Sequence, residues 1–119
     1  MKVLSIKDNK DFRKGYSKGK SFVCSCLVTY VIPNKKGKNR VGITASKKIG
    51  NAVQRNRARR IIKEAYCQVA PALPLGYDFV FVARVRTTKV KMSAVKSAMN
   101  GHMLRYGLLK GKISKDDTV

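Results

Sequence analysis

The pattern of apolar and polar positions divides the chain into short elements. Phe22 to Ile32 is rich in Val, Ile, Tyr, Phe and Thr and reads as one strand. Its even positions (Phe22, Cys24, Cys26, Val28, Tyr30, Ile32) are expected on one face, because strand side chains alternate. Ahead of it, Ser5 with Asp8 three residues on reads as a capping box opening a short helix to about Tyr16, which Gly15 and Gly19 end. Pro33–Asn39 (PNKKGKN) reads as a basic hairpin turn into a second strand, Arg40–Ser46, antiparallel to the first. Asn51, with Gln54 at the third helical position, predicts a capped long helix to about Val69. Pro71, Pro74 and Gly76 break the chain before a strongly apolar central strand, Asp78–Val85. Met92 to about Leu104 reads as a last helix, and Lys110–Val119 as a flexible, frayed tail. The expected architecture is a single α+β domain over residues 1–109, a sandwich in the order α-β-β-(β)-α-β-α.

Charge changes this picture more than composition does. The 119 residues carry 27 Lys plus Arg against 6 Asp plus Glu, a formal net charge of +21. Self-repulsion of that size opposes compaction, which points to a polyanionic partner: nucleic acid first, an anionic membrane second. The segment Lys47–Lys63 (KKIGNAVQRNRARRIIK) holds seven basic residues and no acid. At about 100° per residue, Ala58, Ile61, Ile62, Ala65, Tyr66 and Val69 share one sector of its helix. Asn56, Arg57, Arg59, Arg60 and Lys63 share the opposite sector, with Arg55 at the edge. An ordinary solvated helix mixes Glu with its Lys and Arg at i,i+4 spacing; here Arg55 and Arg59 repel. Guanidinium forks match phosphates bidentately, so this face reads as an anion-binding one, extended by Lys47, Lys48 and Gly50 before the helix. The longest apolar run is Phe79–Ala83, far short of a membrane span, and Met1–Lys10 has no apolar stretch of signal-peptide length. With three cysteines and no CxxC pair, a cytoplasmic chain with reduced thiols is expected.

The run GITASKKIGNAVQRNRARRIIKEAY, Gly42–Tyr66, resembles the signature of the bacterial ribonuclease P protein family. Arg55-Asn56-Arg57 behind Lys47-Lys48-Ile49-Gly50-Asn51-Ala52-Val53 is its most specific part. Asp11-Phe12, Val41-Gly42 and Tyr77-Asp78 running into Phe79–Arg84 extend the match over roughly residues 4–106. The resemblance implies the small subunit of a ribonucleoprotein endonuclease that removes the 5′ leader of precursor tRNA. It implies catalysis by an RNA subunit carrying Mg²⁺, and a left-handed βαβ crossover, against the usual handedness. By position, Lys47, Lys48, Asn51, Arg55, Asn56, Arg57, Arg59 and Arg60 would meet the catalytic RNA. Phe12, Tyr16, Val28 and Tyr30 would line a cleft for the single-stranded leader, Tyr16 standing where Phe is common in the family. Aromatic stacking suits a leader of varying sequence, because every base has a π face.

No catalytic constellation is legible in the chain itself. The six acids are Asp8, Asp11, Glu64, Asp78, Asp116 and Asp117, and only the last two are adjacent. A two-metal nuclease needs convergent carboxylates. His102, the single histidine, reads as a surface or packing residue, Asp78 as a local cap or partner, and Cys24-x-Cys26 as unlike a zinc site. The expected partners are the catalytic RNA and precursor tRNA, with no membrane and no obligate protein partner. The alternative is a structural RNA binder of ribosomal-protein type, of similar charge and size but with no processing role.

Overall fold

The computed structural model describes residues 4–109. Three helices, α1 (Asn9–Lys18), α2 (Ala52–Val69) and α3 (Met92–Tyr106), accompany four strands, β1 (Lys20–Cys24), β2 (Leu27–Pro33), β3 (Arg40–Thr44) and β4 (Tyr77–Ala83). The sheet order is β1-β2-β4-β3, so the chain is the expected α+β sandwich. The tail placed at residues 110–119 lies outside the described residues.

Phe22–Ile32 is two strands. A turn at Ser25-Cys26 folds β1 back antiparallel onto β2, pairing Phe22 with Thr29, Val23 with Val28 and Ser21 with Tyr30. The turn resets the side-chain parity. Phe22 and Cys24 therefore join Leu27, Thr29 and Val31 on the core face, while Val23, Val28 and Tyr30 face the other way.

β3 is also placed differently. β4 inserts between β2 and β3, pairing antiparallel with β2 and parallel with β3. Its buried Phe79, Val80 and Phe81 require cover on both faces and both edges, which puts it at the centre of the sheet. PNKKGKN is accordingly a crossover past the end of β4. Asn34 and Asn39 pin it: the Asn34 N–H donates to Gly76 O at 2.8 Å, and the Tyr77 N–H donates to Asn39 Oδ1 at 3.0 Å.

α2 and α3 cover the core face. Tyr66 of α2 lies 5.9 and 5.8 Å from the rings of Phe79 and Phe81, with Ile62, Val95, Met99 and Met103 fully buried around them. His102 is a packing residue here: its Nδ1 is 2.7 Å from Thr29 Oγ1, under a stacked Phe22 ring. The opposite face carries α1. That helix starts at Asn9, because Ser5 is held in a bridge to Val41 rather than capping. It runs through Gly15, which lies directly on Val80, where even a Cβ would come within 3.1 Å of Cγ2.

Asp78 pairs across the sheet rather than locally. Arg40 of β3 donates to both its oxygens (2.9 and 2.6 Å), and Asn34 Nδ2 donates to Oδ1 at 2.7 Å. Arg40 also reaches Asp11 of α1 at 3.3 Å, so one guanidinium ties β3, β4 and the helix above them.

Candidate nucleic-acid interface

Two surfaces carry the residues singled out in the sequence, and they meet along β3. The first is the α2 N-terminus. Asn51 forms the predicted reciprocal cap: its Oδ1 accepts from the Gln54 N–H at 3.0 Å, and its own N–H donates to Gln54 Oε1 at 3.1 Å. Gly50, at φ +141°, makes room for that returning amide, which any Cβ would overlap. Buried Ile49 anchors the 3₁₀ turn Lys47–Ile49 and leaves Lys47 and Lys48 exposed. Asn51 is thus half committed to the fold, with only its amide NH₂ free to meet a ligand.

Beyond the cap, Ala58, Ile62, Ala65, Tyr66 and Val69 are buried, as the wheel predicts. Asn56, Arg57, Arg59, Arg60 and Lys63 are exposed and Arg55 half-buried. Arg59 is held in place: Nη1 donates to Asn56 Oδ1 at 3.2 Å and Nη2 to Ala45 O at 3.5 Å. Among the described residues both ion pairs belong to Arg40, so no guanidinium of α2 has a carboxylate partner. A row of unneutralised guanidinium forks along the first half of α2, with Arg59 held in place, suits binding of an anion.

The second surface is the outer face of the sheet beside α1. Tyr16 and Tyr30 meet edge to face with centroids 5.0 Å apart, and the Tyr16 hydroxyl reaches Thr44 Oγ1 at 3.4 Å. Next to them, half-buried Val28 and Val82 and exposed Val23 floor a cleft of about 630 Å³. Lys48, Arg84 and Arg86 line the same cleft. Three of the four aromatic-cleft residues are therefore together: Tyr16, Val28 and Tyr30. Phe12 stands at the margin, its ring over the bare Cα of Gly42, sharing a surface with Arg13, Tyr16 and Thr44 on one side. A methyl at position 42 would overlap that ring. Gly42→Ala is expected to displace Phe12 and cost about 1–3 kcal/mol, read by urea unfolding.

Val82, Arg84 and Arg86 complete the cleft, and Thr44 meets Tyr16 beside it, without having been singled out in the sequence. Val82 and Thr44 depend on a strand register that one sequence does not reveal. Arg84 and Arg86 had a signal, since two cations close the most apolar strand of the chain.

Comparison with known proteins gives these surfaces a context. The family model described as Ribonuclease P matches residues 1–107. The Ribonuclease P protein component of Clostridioides difficile (strain 630) is 52% identical over 85 residues, covering 71% of this chain and 75% of the relative. That of Clostridium perfringens (strain SM101 / Type A) is 41% identical over 113 residues, covering 89% and 90%. Among solved structures, the Staphylococcus aureus RNase P protein superposes with a TM-score of 0.76 at 32% identity, covering 92% of this chain and all of that one. The chain belongs to the ribonuclease P protein family.

Proposed function

We propose that this chain meets two RNAs on two faces: the catalytic RNA on the α2 face and the 5′ leader of precursor tRNA in the Tyr16–Tyr30 cleft. Family membership supplies the frame: the chain is the protein subunit of a ribonucleoprotein endoribonuclease acting in tRNA 5′ processing, associated with ribonuclease P RNA. It also decides against the structural ribosomal-type binder that charge left open. The observation carrying the division of labour is the contrast between the faces. The α2 face is almost purely cationic and suits the phosphates of a folded RNA. The cleft pairs two tyrosines and valines with a basic rim, the combination that holds a single strand by stacking without reading its sequence.

The hydrolytic chemistry, with its Mg²⁺, belongs to the RNA in this reading. Asp11 and Asp78 are both engaged by Arg40, so a protein-held cation there would have to displace a guanidinium. The chain's own residues bind and orient. No helix among the described residues is long and apolar enough to cross a membrane.

The test compares substrates on the reconstituted holoenzyme. Tyr30→Ala is expected to weaken binding of leader-bearing precursor by about 1–3 kcal/mol and leave mature tRNA unchanged. Tyr30→Phe should keep most of the affinity, since the ring remains. Equal losses for precursor and mature tRNA would remove the leader from this cleft.

A further inference from the structure

β3 is an edge strand, and its outer edge is filled at both ends but open in the middle. At one end the Val41 N–H donates to Leu4 O (2.7 Å) and Val41 O accepts from the Ile6 N–H (2.9 Å). At the other end Ala45 O accepts from Arg59 Nη2. Backbone groups alternate along a strand, so the N–H and C=O of Ile43 point to the same edge as those of Val41 and Ala45. Neither Ile43 group has a hydrogen-bond partner among the described residues. They open into a groove of about 490 Å³, walled by Phe12 on one side and by Arg59, Arg60 and Lys63 on the other.

We propose that this groove seats one unpaired nucleotide of the catalytic RNA. The base lies against Phe12 with its hydrogen-bonding edge at the Ile43 backbone, and its phosphate lies among Arg59, Arg60 and Lys63. The inference rests on the α2 face meeting that RNA, and it names the nucleotide-sized feature the face would recognise. One donor and one acceptor from a single residue suit a planar heterocycle. They are too few for an added peptide strand, which needs a run of alternate open residues. A second copy of this chain is opposed by a formal charge of +21 on each. The leader is placed elsewhere, because the groove is lined by α2 cations and by none of Tyr16, Val28 and Tyr30. Phe12 is then a shared wall, one side toward the cleft and the other toward the groove.

The experiment is base-resolved dimethyl sulfate and 2′-hydroxyl probing of both the catalytic RNA and the precursor tRNA in their complex, at saturating protein. Ile43→Pro removes the outward N–H without touching the ladder to β4, a substitution an edge strand tolerates. Lys63→Ala, on an exposed helix position, is the second variant in case the first does not fold. With wild-type protein, one unpaired nucleotide of the catalytic RNA is expected to become protected. With either folded variant it should return to free-RNA reactivity, with the rest of the footprint intact and the Kd raised about tenfold. An unchanged footprint in both folded variants overturns the groove while leaving the α2 assignment standing. A released nucleotide that lies in the precursor leader also overturns it. Failure of the wild-type protein to protect the catalytic RNA along α2 overturns both.

Discussion

Replacing Arg55 and Arg57 together with Ala is expected to weaken association with the catalytic RNA by roughly 10- to 100-fold at moderate salt while the protein stays folded. Arg57 is exposed and Arg55 only half-buried, and neither has a carboxylate or hydrogen-bond partner among the described residues. Their removal forfeits no ion pair and relieves the repulsion between Arg55 and Arg59, one turn apart. Alanine also raises helix propensity slightly. The loss should therefore appear in binding and not in Tm. Its character is as diagnostic as its size. Each guanidinium that engages a phosphate releases counterions, so the slope of log K against log salt should become shallower by about one per residue. Filter binding at several KCl concentrations measures this directly. A folded double variant with wild-type affinity and slope would exclude these two residues from the RNA contact. Arg59→Ala should show a mixed result, because Arg59 also bonds Asn56 and the Ala45 carbonyl at the β3 edge.

The difference between what the sequence revealed and what it hid follows from the range of the interactions involved. α2 was legible almost to the residue, because a reciprocal Asn51–Gln54 cap, an apolar sector and a basic sector are all encoded within one turn or two. α3 was legible in the same way, extending two residues further to a left-handed Gly107. The sheet was legible in its strands but not in their order. A seven-residue basic segment with Gly and Asn looks the same whether it closes a hairpin or crosses a neighbouring strand. What decides is Asp78, 38 residues from its partner Arg40, together with the apolar demand of β4. The two-residue turn at Ser25-Cys26 escaped because neither residue carries the Gly or Asn that marks a tight turn. It reversed the predicted face of Phe22 while leaving Val28 and Tyr30 together, so the cleft survived the error. The same limits shaped the site. The cationic face lies on one continuous segment and could be read off it. The aromatic cleft and the Ile43 groove are assembled from α1, the sheet and α2, and needed the register.

Asp78→Asn is expected to destabilise the fold by about 1–3 kcal/mol at neutral pH, by taking from the half-buried Arg40 guanidinium its main carboxylate partner and leaving it Asp11 alone. Burial by itself would push the Asp78 carboxyl up, but hydrogen bonds from Arg40 and Asn34 outweigh it and hold the group below the usual carboxylate range. Arg40 is shifted up in turn, chiefly by its hydrogen bonds to Asp78. The folded pKa of Asp78 is thus below its unfolded value of about 3.9. The ionised form stabilises the fold, fully above that unfolded value, and the contribution is lost as pH falls through the folded pKa. Urea unfolding at fixed ionic strength should therefore show a wide gap between wild type and Asp78→Asn near pH 7. The gap should narrow below about pH 4, as wild type surrenders what the variant never had. A gap independent of pH would mean that Asp78 acts by shape rather than by charge. The consequence reaches the two faces proposed to meet RNA, because the same guanidinium ties Asp11 of α1 to the sheet. Without Asp78 to anchor it, Arg40 no longer fixes Asp11 to β4, and the helix that carries Phe12 and Tyr16 is held less firmly. A protein still folded at low temperature should then lose precursor affinity before it loses affinity for the catalytic RNA, whose proposed face on α2 is fixed by its own cap and by the core beneath it.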